Sequence, residues 1–285
     1  MTDKKQFIIE SNDAHRDVLY VLIFDVDGVL THPSEKKVTE LKIFSQLERR
    51  LKEGEPIILN TGRGIDFMLK KILEPLEEMI ADKRLFINLF AIGEKGAVSV
   101  QYDAAGRRTE YVDESISVPE NLQRESKKLV EEKFSDVAFY DITKKTMISI
   151  EMLDNLTVEK FRERQENLNN ELARMLMQHG LTENFRVDPS RIATDVENKH
   201  VGKGLGVRKA LRWLVEKKIK PGKFIAFGDS SSDTAMAEEL QQRGLPVEFV
   251  FVGEKILLSG KKLTFPVTYT TGQCEVGTLE YLENL

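Results

Sequence analysis

Three segments of the chain share one hydrophobic pattern: a short apolar run stops at a small or acidic residue and leads into a loop or helix. VLYVLIF (18–24) stops at Asp25, PIILN (56–60) at Thr61 and KFIAFG (223–228) at Asp229. Runs this short, rich in Ile, Val and Phe, read as strands buried on both faces, as in a parallel sheet. Helical spacing follows the second of these runs and precedes the third. DFMLKKILEPLEEMI (66–80) sets Met68, Leu69, Ile72, Leu73 and Leu76 along one face, with Pro75 expected to kink or split the helix. GVRKALRWLVEKK (206–218) does the same with Val207, Ala210, Leu211 and Leu214, and the lone Trp213 falls within its packing pattern. Alternating strands and helices predict an α/β fold with a doubly wound, Rossmann-like parallel sheet. In such sheets functional residues gather beyond the carboxyl ends of the strands. Asp25, Asp27, Thr61 and Asp229 all fall at such ends.

The middle of the chain follows another pattern. GAVSVQYDAAGRRTEYV (96–112) reads as a hairpin turning at AAGRR, and NLQRESKKLVEEKF (121–134) as an amphipathic helix. DVAFYDI and TMISIEML read as strands joined by TKK, and the long helix from Thr157 is ended by Gly180. FRVDPS and RIATDVE predict a further strand pair. This strand-rich α+β module, a cap over the sheet, is expected at 112–196, between a first core part at 1–111 and a second at 197–285.

Composition narrows the picture. The 285 residues are enough for two domains or for one with a large insert, and 41% hydrophobic with 31% charged residues is an ordinary globular balance. The net charge of −5 lacks the basic excess of a nucleic-acid binder. The single cysteine, Cys274, leaves no internal disulfide framework. The N-terminal MTDKKQFIIESNDAHRD is polar and unlike a signal peptide, and no apolar run is long enough to span a bilayer. A cytoplasmic protein with neither nucleic-acid nor membrane partners is the expectation.

Candidate chemistry begins with FDVDGVLT. On a continuing strand Asp25 and Asp27 face the same side, and Gly28 lets the chain turn after them. Two close carboxylates repel unless one is protonated or a cation sits between them. A magnesium ion, with its preference for oxygen ligands, resolves the repulsion; one carboxylate can then act as ligand and nucleophile and the other can move protons. The alternative is an acidic turn. In GDSSSDTAM, Asp229 ends a strand and Asp233 opens a helix, either as a second acidic arm to the same ion or as a favourable charge at a helix start capped by Ser231. Thr61 and Gly62 of LNTGRG offer a hydroxyl and turn amides for phosphate oxygens, or a plain connecting loop. Lys203 in VGKGLG opposes the dipole of its own helix, which a nearby phosphate or carboxylate would offset; otherwise it faces solvent.

Together these motifs, DVDGV, NTGR, Lys203–Gly204 and GDSSSD, resemble the haloacid dehalogenase-like phosphatase superfamily in order and spacing. IGEKGAVSV is similar to the segment preceding the family's cap. The cap between the second and third motifs resembles the Cof-type subgroup, which includes sucrose-, trehalose- and mannosyl-phosphoglycerate phosphatases and phosphomannomutases.

The resemblance implies a magnesium-dependent phosphatase of small phosphate esters, sugar phosphates above all. Asp25 would be the nucleophile, Asp27 the general acid and base, and Thr61, Gly62 and Lys203 the phosphate holders. Asp25, the Asp27 carbonyl and Asp229 would bind Mg2+, supported by Asp233. Val29 and Ser232 depart from residues common in the family at their positions. Candidate substrate contacts are Arg63, the cap-turn pair Lys144 and Lys145, and Asn198 and His200 on the return from the cap. A phosphomutase would use the same residues, and a non-catalytic phosphate-binding regulator would retain their charges.

Overall fold

The computed structural model describes residues 15–285; the polar N-terminal stretch read above lies, up to residue 14, outside them. Strands β1 (Arg16–Phe24), β2 (Ile57–Asn60), β3 (Leu89–Gly93), β4 (Val98–Tyr102) and β5 (Arg108–Val112) join β10 (Ile219–Gly228), β11 (Val247–Phe251) and β12 (Val267–Tyr269) in one sheet. Its order is β12-β11-β10-β1-β2-β3-β4-β5. Neighbours from β12 to β3 are parallel, and β4 and β5 close the edge as the expected hairpin.

β1 alternates its side chains between two cores. Leu22 and Phe24 enter the one built with α1 (Lys42–Lys52), the helical stretch after β2 and α8 (Cys274–Asn284). Val21 and Ile23 enter the other, built with α6 (Lys203–Glu216) and α7 (Thr234–Gln242). Both faces of the parallel sheet are covered, which is why its strands read as unbroken apolar runs. The helical stretch after β2 does split ahead of Pro75. α2 (Ile65–Met68) passes through a π-turn (Leu69–Leu73) into α3 (Glu74–Met79), whose first turn holds the proline. The wider turn accommodates a residue with no N–H to donate. Trp213 is buried and stacks on Phe90 at 5.3 Å between ring centres.

A second, antiparallel sheet has the order β6-β7-β9-β8, from β6 (Ala138–Tyr140), β7 (Ile148–Met152), β8 (Phe185–Pro189) and β9 (Ala193–Asn198). With α4 (Glu120–Lys133) and α5 (Val158–Gln178) it encloses a core of its own around Phe161, Ile148 and Leu172. This module is the lid. Among the described residues no helix is long and apolar enough to cross a membrane.

The sheet order sets the site. The chain leaves β1 for β2 on one side and later returns to β10 on the other, so β1 is the switch point where loops diverge and leave a crevice. Close packing then seats α6 at this crevice. A Cβ on Gly206 would stand 2.2 Å from Asn60 Oδ1, and Asn60 Nδ2 donates to the Lys203 carbonyl at 2.9 Å. Gly206→Ala is therefore expected to destabilise the protein by about 1–3 kcal/mol through overpacking. Urea denaturation checks this; an unchanged midpoint would show that helix and strand separate freely.

Candidate active site

The loop after β1 folds back at once: the backbone amides of Leu30 and Thr31 both donate to the Val26 carbonyl at 3.0 Å. Gly28 makes the turn at φ +68°, and a side chain there would collide with Asp229, whose Oδ2 lies 2.2 Å from the ideal Cβ position. Asp25 is thus brought beside Asp229, from the end of β10, and Asp233, just before α7. Their carboxylates offer oxygens within 4.8 Å of one another.

Lys203 completes the cluster. Its Nζ lies 2.5 Å from Asp25 Oδ1 and 3.0 Å from Asp233 Oδ1, and donates to the Asn60 carbonyl at 2.7 Å. The lysine that opposed its own helix dipole is paired with carboxylates rather than facing solvent. Asp25 Oδ1 also accepts from the Val26 amide at 2.7 Å.

Three carboxylates against one ammonium leave a surplus of negative charge in a buried place. The consequences are visible in the proton affinities. Burial, opposed by Lys203 and reinforced by Asp233, pushes the Asp25 carboxyl up to about 7. Burial and Asp233 together push Asp229 up to about 6. Burial also acts against Asp233, but Lys203 and the Ser230 hydroxyl and amide hold it below its usual range. Ser231, expected to cap α7, does not cap it through its side chain; its carbonyl accepts from the Thr234 hydroxyl at 2.9 Å and from Lys261 Nζ at 2.7 Å. This donor set fits a divalent cation: hard oxygens, converging and undercompensated in charge, with Asp25, Asp229 and Asp233 as the residues that would hold it.

Asp27 is placed differently. Its carboxylate does not belong to the oxygen cluster; Arg63 clamps it through Nε at 2.9 Å and a terminal nitrogen at 3.1 Å, with Lys36 at 3.7 Å. The guanidinium lies over the Phe67 ring, 5.0 Å from its centre. Arg63 is thereby a partner of Asp27 rather than a side chain free to hold substrate. Thr61 is buried at the end of β2, its hydroxyl accepting from the Arg63 amide at 3.2 Å, and Gly62 follows it at the cleft wall.

A cavity of about 550 Å³ opens over these groups, with Asp25, Asp27, Thr61, Gly62, Arg63 and Lys203 on its core side. The remaining sequence candidates do not line it. Lys144 donates to the Gly62 carbonyl at 3.2 Å, and Lys145 pairs with Glu110 at 2.6 Å. Asn198 is buried and caps its own turn through the His200 amide, while the His200 side chain is exposed. Position alone had singled them out, the lysines in a tight cap turn and Asn198 and His200 on the return from the cap.

The structure adds a pair that sequence reasoning passed over. Glu94 and Lys95, after β3, both adopt left-handed backbone, with φ of 48° and 54°. This splays neighbouring side chains into different parts of the lid. Glu94 is buried and accepts from the Lys145 amide at 2.9 Å, the Thr146 amide at 2.8 Å and the Thr146 hydroxyl at 2.6 Å. Lys95 reaches Asp188, Asp195 and Glu197 of the lid sheet. Its own amide donates to the Thr61 carbonyl at 3.1 Å, and its carbonyl accepts from Gly202 at 2.7 Å. The sequence singled out IGEKGAVSV only as similar to the segment preceding the family's cap; partners up to about a hundred positions away gave no local signal.

No family model matches the chain, and no curated protein matches it. Solved structures do. The C-terminal domain of C. albicans trehalose-6-phosphate phosphatase is 17% identical, with a TM-score of 0.62 over 96% of this chain and 98% of that one. The Thermoplasma acidophilum protein 0175 is 14% identical, with a TM-score of 0.59 over 93% and 97%. Aspergillus fumigatus trehalose-6-phosphate phosphatase is 17% identical, with a TM-score of 0.56 over 94% and 93%. The chain thus shares the fold of these proteins over nearly its whole length, an α/β core with an inserted second module, as the sequence pattern implied.

The Glu94 contacts predict that Glu94→Ala, which strips three lid donors of a buried acceptor, costs about 2–4 kcal/mol. Amide hydrogen exchange should report lost protection at Lys145 and Thr146 first; unchanged protection there would refute the role of Glu94 as lid anchor.

Proposed function

We propose that the protein is a magnesium-dependent phosphomonoesterase acting through an aspartyl-phosphate intermediate on a small hydroxyl-rich phosphate ester, a sugar phosphate. The observation that carries this reading is the buried junction of Asp25, Asp229, Asp233 and Lys203 beneath a lidded cleft. Asp25 Oδ attacks phosphorus and the ester P–O bond breaks. Asp27, lying across the same cleft, gives the departing oxygen its proton. Asp27 then takes a proton from water, whose oxygen attacks the same phosphorus; the Asp25–phosphate bond breaks and inorganic phosphate leaves.

Lys203 and the Thr61–Gly62 turn supply donors for the equatorial oxygens, where charge must be stabilised. Magnesium held by Asp25, Asp229 and Asp233 would neutralise charge on the phosphoryl group. For Asp27 to serve as acid and base, its carboxylate must exchange Arg63 for the ester oxygen and for water, so Arg63 is a positioning residue. The lid supports a small substrate, because a cleft roofed in this way hinders a folded protein. Among the described residues the cleft lining includes no aromatic side chain on which a base would stack, and its charged and polar groups suit hydroxyls.

Asp25→Asn is expected to abolish phosphate release from sugar phosphates with magnesium, by at least a thousandfold; measured turnover of the variant would remove Asp25 as nucleophile. A second expectation follows from the raised carboxyls. Asp25, at about 7, and Asp229, at about 6, bind protons in the metal-free site that a cation must displace. Magnesium affinity should therefore rise with pH from 5 to 8, by up to about tenfold for each proton released per pH unit. Calorimetry in buffers of different ionisation enthalpy counts those protons, and a pH-independent affinity without proton release would contradict the carboxylate site.

A further inference from the structure

The lid wall of the cleft carries charge of its own, and its arrangement bears on what the substrate holds besides phosphate. Lys95 and Arg186 are the cations on that side of the cavity, and Asp188 lies between them. Both cations are already committed. Lys95 Nζ is 2.5 Å from Glu197 and 3.3 Å from each of Asp188 and Asp195. Arg186 is 2.6 Å from Glu197 and 4.0 Å from Asp188. Glu197 itself is fully buried and divides its two oxygens between them. Two positive charges therefore face three negative ones, and Ser149 donates to Asp195 at 2.7 Å, fixing one of the carboxylates in place.

The cap lysines do not change this balance, because Lys144 rests on the Gly62 carbonyl and Lys145 on Glu110. On the core side, Arg63 is held by Asp27 and Lys203 by Asp25 and Asp233. Every cation lining the cavity thus has a carboxylate partner. A second anionic group on the substrate would have to break one of these pairs while approaching Asp188. Taking Lys95 or Arg186 from Glu197 strands a fully buried carboxylate, and the like charge of Asp188 adds repulsion.

We infer that the lid wall, through Lys95, Arg186 and the surplus carboxylate Asp188, selects a phosphate ester whose leaving group is uncharged and rejects one bearing a second anion. Specificity here is obtained by repulsion as much as by attraction. The inference rests on the phosphatase reading and adds the charge class of the substrate to it. Asp188 is the side chain best placed to set the discrimination, being partly exposed in the cleft and without the burial that fixes Glu197.

The test uses paired esters of equal carbon skeleton, glucose 6-phosphate against 6-phosphogluconate and fructose 6-phosphate against fructose 1,6-bisphosphate, with magnesium. The singly anionic member of each pair is expected to have the higher kcat/KM by at least tenfold, with the difference mainly in KM. Asp188→Asn, at a half-exposed position that the fold tolerates, should narrow the ratio severalfold by improving the doubly anionic member. Equal or better use of the doubly anionic esters, or a ratio unmoved by Asp188→Asn, would overturn the inference while leaving the phosphatase intact. Binding of the same pairs to the Asp25→Asn protein reads the preference without turnover. A failure to hydrolyse any ester would thus strike the catalytic reading, and the binding ratio would still decide this one.

Discussion

The ion pair between Lys203 and Asp25 is the constraint around which the rest is arranged. An ammonium and a carboxylate, both buried, persist only if other groups share the cost of leaving water. Asn60, at the end of β2, and Asp233, at the start of α7 beyond β10, do so, which requires the carboxyl ends of β1, β2 and β10 to lie side by side. The close approach of Gly206 to Asn60 and the turn at Gly28 beneath Asp229 are the steric counterparts of that electrostatic junction. One lysine cannot compensate three carboxylates, and the remainder of the charge suits the place to a cation.

The lid is joined to this junction by a backbone relay rather than by its hydrophobic core. Lys95 bonds through its main chain to Thr61 and to Gly202, while its side chain enters the lid sheet and Glu94 beside it holds the lid loop. The Thr61 turn, the start of the lysine helix and the roof of the cleft are therefore registered to one another through two residues. Because Glu94 and Lys95 share consecutive left-handed conformations, neither can move without disturbing the other.

Much of the core was legible in the chain. Leu22, Phe24, Val21 and Ile23 are buried on both faces, so β1 shows the continuous apolar run of a parallel strand, and α6 shows the spacing of a one-sided helix. The aspartates stood out because each ends such a run. The lid's own elements were legible for the same reason, but their facing directions were not. Lys144, Lys145, Asn198 and His200 were singled out by position in sequence, and the turn geometry sends them to core carboxylates, a backbone carbonyl, a local turn and the surface.

By itself the sequence determined which residues end the strands, that helices alternate with those strands, and that carboxylates, a threonine and a lysine occur in an order that resembles haloacid dehalogenase-like phosphatases. Periodicity and steric preference act over a few residues, so local pattern suffices for these. Only the tertiary structure decided that Asp27 is held by Arg63, apart from the three carboxylates gathered at Lys203, and that Lys95 spends its charge on the lid. Electrostatic partners are chosen by distance in space across segments far apart in the chain, and that distance exists only once the sheet has formed.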